Sequence, residues 1–198
     1  MKQRIAKVER RTRETEIELR LNLDGSGKAS LETGIGFFDH MLHLFAHHAQ
    51  VDLVLKVRGD LHVDEHHSVE DAGLVLGQAF REALGERRGI ERYGWSVVPM
   101  DEVLVAAAVD FSGRPGFVTD YSPRRERVGE LATELVPHFF QSWTNEAKAT
   151  LHLKVLTAGD NEHHRIEALF KAWARAVKAA VARNGGPDGE IPSTKGVL

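Results

Sequence analysis

The chain carries 11 histidines and no cysteine, and most of the histidines stand in short clusters. Any metal held here must therefore be bound through imidazole nitrogen and carboxylate oxygen, without thiolate. The clusters recur in register. A lone His40 precedes HHSVE, with His66, His67 and Glu70, and a lone His138 precedes HHRIE, with His163, His164 and Glu167. A helix turns about 100° per residue, so adjacent histidines diverge while a residue four places on returns to the same face. His66 can share a face with Glu70, and His163 with Glu167. The other member of each pair, His67 or His164, points elsewhere and would serve a different ion. The eight donors divide naturally between two cations, each with about three imidazoles and one carboxylate. A single HH pair at a helix start reads as a cap or a surface feature; its duplication, each copy preceded by a lone histidine, overturns that reading.

This donor set suits zinc, manganese, iron or nickel, and ligand type alone does not choose among them. Four protein donors around a metal that prefers six leave positions open for substrate. The other histidines carry less weight. His43 aligns with Gln141 in the second copy and reads as helix surface, and His62 and His152 read as structural. His47 and His48 end the helix that carries His40, where imidazolium suits a helix C-terminus; both are also candidates for a place near substrate.

The elements that must position these donors are themselves written twice. Ile17, Leu19, Leu21 and Leu23 alternate with polar residues as in a half-buried strand, and DGSG reads as a hairpin turn to a second strand. Phe37, Met41, Leu44 and Phe45 have helical spacing, Val51, Leu53, Leu55 and Val57 alternate, and a second helix is expected from about Ser68 to Leu84. After the turn-like RRGIERYG the order restarts. Strands are expected in DEVLVAAAVDF and GFVTDY, a helix over ELATELVPHFFQSWTNEA, a strand in TLHLKVL and a helix from about His163 to Val181. The expected fold is α+β, with internally duplicated β-β-α-β-α halves at 1–90 and 91–184, sheets packed against helices, and a C-terminal tail at 185–198.

With 26 basic and 29 acidic residues intermixed and a net charge of -3, the chain presents no broad positive field for nucleic acid. The opening MKQRIAKVERRTRETE is too charged for a signal peptide, and no apolar run approaches spanning length. A soluble protein without a membrane partner is expected, and the absence of cysteine fits a cytoplasmic setting.

The segments FFDHMLHLFAHH, HHSVEDAG, FSGRP, TELVPHFFQSW, NEHHRIEALFKAWARA and PSTKG, in this order, resemble the imidazoleglycerol-phosphate dehydratase family along nearly the whole chain. The resemblance implies a ribosomal protein S5 domain 2-like fold. It implies two Mn(II) ions per active site, held by His40, His66, His67, Glu70, His138, His163, His164 and Glu167, the set already reached from the repeat. It also implies a catalytic role for Glu14 and phosphate binding by Arg92, Arg114, Ser193 and Lys195, whose donors suit a phosphate dianion. Without the resemblance, Arg92 and Arg114 would read as loop surface, Glu14 as an outward strand residue and PSTKG as a frayed end. The implied assembly is a closed homo-oligomer of 24 subunits with active sites between subunits. Two departures stand out: His43 occupies a place more often small or acidic in the family, and NGGPDGEIP replaces a commoner DPR-containing approach to PSTKG.

The activity implied is dehydration of imidazoleglycerol phosphate to imidazoleacetol phosphate in histidine biosynthesis. The proton to be lost has no neighbouring carbonyl, so an imidazolate held by both metals is expected to make it removable, with Glu14 or a metal-bound water as proton carrier. Two competing readings remain on these residues: a two-metal phosphohydrolase, and a metal-storing or metal-sensing oligomer without catalysis.

Overall fold

The computed structural model describes residues 3–184 and 189–198, so residues 185–188 of the expected tail lie outside the described residues. The chain opens with β1 (Ile5–Arg11), β2 (Thr15–Asn22), β3 (Ala29–Glu32), α1 (Gly36–Ala49), β4 (Asp52–Gly59) and α2 (His66–Leu84). It continues with β5 (Tyr93–Met100), β6 (Val103–Asp110), β7 (Gly116–Thr119), a ribbon of β8 (Arg127–Val128) and β9 (Leu131–Ala132), then α3 (Leu135–Ala147), β10 (Thr150–Thr157) and α4 (Glu162–Val181). The duplicated β-β-α-β-α pattern is present as β2-β3-α1-β4-α2 and β6-β7-α3-β10-α4. Each copy gains one strand in front of it, β1 and β5.

Both sheets have the same order, β1-β2-β4-β3 and β5-β6-β10-β7, with one parallel pair at the β3 or β7 edge. The DGSG segment is consequently not a hairpin, because β4 lies between β2 and β3. Asp52 fastens this crossing loop, its carboxylate accepting the backbone N–H of Ser26 at 2.8 Å and of Lys28 at 3.1 Å. The expected helix over ELATELVPHFFQSWTNEA begins only at Leu135. Gly129, at φ 56, turns the preceding residues into the β8–β9 ribbon instead.

Each sheet turns one face to helices. Ile17, Leu19, Leu21, Leu53, Leu55 and Val57 are buried on the first sheet, and Val103, Val105, Val109, Leu151 and Leu153 on the second. α2 packs on β1 and β2, α4 on β5 and β6, and the helices meet in the middle as α1 on α4 and α2 on α3. Trp143 and Trp173, both fully buried, join these layers, with Trp173 stacked on Phe45 at 3.9 Å between centroids. The α2–α3 approach depends on two glycines. A β-carbon at Gly73 would lie 2.9 Å from the Phe139 carbonyl oxygen, and one at Gly77 would lie 2.5 Å from that of Trp143.

The faces turned away from the helices differ between the halves. On the first sheet Glu9, Glu18, Lys56 and Glu32 form a charged row across the four strands. On the second, the row is Trp95, Ala108, His152 and Val118, and Trp95 is 75% exposed.

Candidate metal centre

Because α1 packs on α4 and α2 on α3, each lone histidine meets the HHxxE motif of the other half. His40 joins His163 and Glu167, and His138 joins His66 and Glu70. In each group the donor atoms lie within 4.8 Å of one another. Glu167 Oε2 is 3.1 Å from His163 Nε2 and 3.7 Å from His40 Nε2, and Glu70 Oε1 is 3.2 Å from His138 Nε2. A cation roughly 2.0–2.2 Å from each donor would hold the donors about 3–4 Å apart. Both groups therefore fit a divalent ion with nitrogen and oxygen ligands.

Local sequence explains the aim of each donor. Glu162 starts α4, and the Asn161 side chain caps it by accepting the His163 backbone N–H at 2.9 Å. The four-residue spacing then stacks Glu167 beneath His163. A further four residues on, Lys171 Nζ lies 2.5 Å from Glu167 Oε1. Burial raises the Glu167 pKa, but Lys171 and the neighbouring histidines outweigh it, so the net shift is downward and the group stays a carboxylate. Leu74 stands at the corresponding place in α2, and Glu70 has no such lysine.

His67 and His164 lie outside both three-donor groups, as the divergence of adjacent helical residues requires. His67 Nδ1 sits 3.0 Å from Asp60, and His164 Nδ1 sits 3.0 Å from Glu102. Each of these hydrogen bonds raises the pKa of its histidine, and the His164 contact lowers that of Glu102 to about 2. A carboxylate also stands 3.8 Å from each Nε2, Glu14 beside His67 and Asp101 beside His164. Asp101, Glu102 and His164 form a third group of clustered donors.

Glu14 lies in the β1–β2 turn rather than within a strand. Two contacts fasten that turn to α2. The Thr15 hydroxyl donates to the buried Asp71 carboxylate, which also pairs with Arg10 Nε at 3.0 Å. Glu14 is thus held beside the helix that bears His66, His67 and Glu70.

The residues expected to hold phosphate collect at the second sheet. Arg92, with φ 68, donates from Nε and one terminal nitrogen to Asp110 at 2.7 and 3.1 Å. Its other terminal nitrogen donates to the Pro192 carbonyl at 2.9 Å, which docks the tail there. A guanidinium carries five N–H donors, so one hydrogen on each terminal nitrogen remains for a ligand. Arg114 is exposed in the loop after β6. The neighbouring Gly113 lies against the chain end, where a β-carbon would come within 2.8 Å of Leu198 backbone. Ser193 is half-buried and Lys195 exposed, in a turn closed by the Gly196 N–H donating to the Ser193 carbonyl at 3.0 Å. His47 is exposed at the end of α1. His48 is half-buried, its pKa lowered by burial and by the charges of His47, Lys171 and Arg175.

Sequence reasoning missed Asp60, Asp71, Glu102 and Lys171. Lys171 was open to it, since a lysine four residues after a glutamate on a helix is a standard pairing distance.

A profile of the family described as Imidazoleglycerol-phosphate dehydratase matches residues 33–177. An imidazoleglycerol-phosphate dehydratase from Methanopyrus kandleri is 55% identical over 98% of the chain and 96% of its own length. A histidine biosynthesis bifunctional protein HisB from Spirosoma linguale is 54% identical, but this chain spans about half the length of that relative. The crystal structure of the Staphylococcus aureus imidazoleglycerol-phosphate dehydratase superposes with a TM-score of 0.82 at 36% identity, covering 91% of this chain and 99% of that one. The Pyrococcus furiosus enzyme, in complex with (S)-C348, gives the same score at 33% identity, over 96% of this chain and all of that one.

Proposed function

The chain belongs to the imidazoleglycerol-phosphate dehydratase family, whose members are hydro-lyases of histidine biosynthesis, and on that premise we propose how its residues carry the reaction. The substrate is imidazoleglycerol phosphate and the product imidazoleacetol phosphate. The observation that carries the reading is the pair of three-donor groups, each assembled from the HHxxE motif of one half and the lone histidine of the other.

His40, His163 and Glu167 would hold one manganese, and His66, Glu70 and His138 the second. Manganese bound there would supply Lewis acidity toward the azole ring, which would make a proton on the adjoining side chain removable without a neighbouring carbonyl. Glu14, exposed and carried on a pinned turn, takes that proton and returns one to the departing hydroxyl. Arg92, Arg114, Ser193 and Lys195 bind the phosphate, and fixing that end limits the positions the reacting carbons can take. His47 and His48, in the last turn of α1, contact the substrate from that side.

Among the described residues each of these groups offers three donors, and His67 and His164 have Nε2 atoms outside both groups. A neighbouring copy supplies them, with Glu14 travelling beside His67. The chain is accordingly a closed homo-oligomer with active sites between subunits, and the family resemblance puts its size at 24 copies. Trp95, Val97 and Val118, exposed on the second sheet, support burial against another copy. No helix among the described residues is long and apolar enough to cross a membrane, and a cytoplasmic setting fits the pathway.

Incubation with imidazoleglycerol phosphate and manganese tests the activity. An enolisable ketone with phosphate retained is expected. Free phosphate would identify a phosphohydrolase instead, and unchanged substrate a protein that only binds metal.

A further inference from the structure

The two halves fix His67 and His164 in the same way but with different residues. His67 Nδ1 lies 3.0 and 3.2 Å from the two oxygens of Asp60, which follows β4. His164 Nδ1 lies 3.0 Å from Glu102, which sits in the β5–β6 turn. The duplication does not account for this likeness. Thr157, which ends β10, and Ala158, which follows β10 as Asp60 follows β4, carry no acid. The same Nδ1–carboxylate hydrogen bond therefore arises from two unrelated positions and, among the described residues, falls on His67 and His164, the one histidine of each HHxxE motif that stands outside the paired groups.

Both carboxylates are themselves held. Glu102 Oε1 accepts the backbone N–H of Asn161 at 3.2 Å and of Asp160 at 3.4 Å, leaving Oε2 for His164. Gly159, at φ 57, makes room for this, since a β-carbon there would lie 2.5 Å from the Glu102 side chain. Asp60 lies at the turn closed by the Val63 N–H donating to its carbonyl at 2.7 Å, and its side chain is 16% exposed. Among the described residues, His67 is the hydrogen-bond partner of the Asp60 carboxylate.

A neutral imidazole carries one N–H and one lone pair, and the group that accepts the N–H decides which nitrogen keeps the lone pair. We propose that Asp60 and Glu102 are positioning residues: each accepts the Nδ1–H of its histidine, fixing ring orientation and tautomer so that Nε2 is the nitrogen presented to a metal. This rests on the proposal that His67 and His164 complete the metal groups of neighbouring copies. The nearest acidic oxygens to the two Nε2 atoms, on Glu14 and Asp101, stand at 3.8 Å, beyond hydrogen-bond reach, and leave them available.

Manganese titration of the full chain, following the electron paramagnetic resonance signal of the free aquo ion, tests the proposal without reference to turnover. Asp60→Ala and Glu102→Ala are each expected to weaken one of the two classes of bound ion by about 10–100-fold. Asp60→Asn and Glu102→Gln keep a carbonyl acceptor and are expected to recover most of that loss. Glu32→Ala, an exposed acid on the outer face of the first sheet, should titrate like the parent. The metal-free melting temperature of Asp60→Ala should match the parent, which separates positioning from folding even where Glu102→Ala disturbs its backbone contacts. Parental affinity in both alanine variants, alongside lost affinity in His67→Ala and His164→Ala, would overturn the positioning role and leave the ligand assignment standing. Parental affinity in the two histidine variants would overturn the ligand assignment, and this inference with it.

Discussion

Asp71 offers a way to loosen Glu14 without touching a donor. Its carboxylate is buried, accepts from the Thr15 hydroxyl and pairs with Arg10 Nε at 3.0 Å, and these two contacts tie the β1–β2 turn to α2. A hydrogen bond to a charged group contributes about 1.5–3 kcal/mol. The Arg10 side chain is 41% exposed, so solvent screens that pair and places it at or below the lower end. Asp71→Ala should therefore cost about 2–3 kcal/mol, a fall of roughly 4–12 °C in melting temperature for a chain of this size. Glu14 would then sample positions about an ångström from its productive place, enough to lower kcat by about 100-fold. Metal content should be unchanged, because the Asp71 side chain bonds to Thr15 and Arg10 and to none of the donor side chains of His66, Glu70 and His138. The assays are thermal unfolding by circular dichroism, manganese per chain by elemental analysis, and ketone formation from imidazoleglycerol phosphate. Parental turnover in a variant that melts several degrees lower would refute the claim that this anchor positions Glu14. Loss of metal at parental stability would refute the separation of anchor from ligands.

The remaining predictions concern the proton carrier, the helix interface and acid stability. Glu14→Gln should keep metal and melting temperature but lose most turnover; near-normal kcat would remove Glu14 from the mechanism. Gly77→Ala places a β-carbon against the Trp143 carbonyl, and the forced separation of α2 and α3 should cost about 1–3 kcal/mol and weaken the ion held by His66, Glu70 and His138. Unaltered stability and manganese titration would show that the close approach is dispensable. Asp24 is partly buried, which raises its pKa, but its contacts to Arg4 at 2.6 Å and Arg183 at 2.9 Å outweigh that and hold the folded value well below the unfolded one. Its contribution is present above the unfolded value of about 3.9 and is lost as pH falls toward the folded one. Asp24→Asn should accordingly flatten the stability profile below about pH 4; a parental acid limb in denaturant titrations would count against it.

Local periodicity made much of the fold legible. Ile17, Leu19 and Leu21 alternate cleanly because one sheet face meets helices and the other meets water. β1 was not legible because Lys7, Glu9 and Arg11 alternate with only Ala6 and Val8 as buried residues. β5 hid for the opposite reason: Trp95 and Val97 face outward, so both of its faces carry apolar residues. DGSG has the composition of a hairpin turn, but strand order is a tertiary property, and the pairing of β3 with β4 overrides it. At the site, the divergence of His66 from His67 follows from helix geometry alone. Which lone histidine meets which motif does not, since His40 meets His163 only through the packing of α1 on α4. Asp60 and Glu102 were equally hidden, because their service to equivalent histidines comes from places unrelated by the repeat.

The shared site is tested most directly by mixing two defective chains. One carries His67→Ala and His164→Ala, which leaves its three-donor groups intact but gives nothing to a neighbour. The other carries His40→Ala and His138→Ala, which breaks its own groups but still offers His67 and His164. Each alone should be inactive. Co-expressed in equal amounts, they should recover roughly a quarter of parental dehydratase activity if one neighbour serves each site, and less if two do. Mixed assemblies no more active than the separate chains would contradict a site built between subunits.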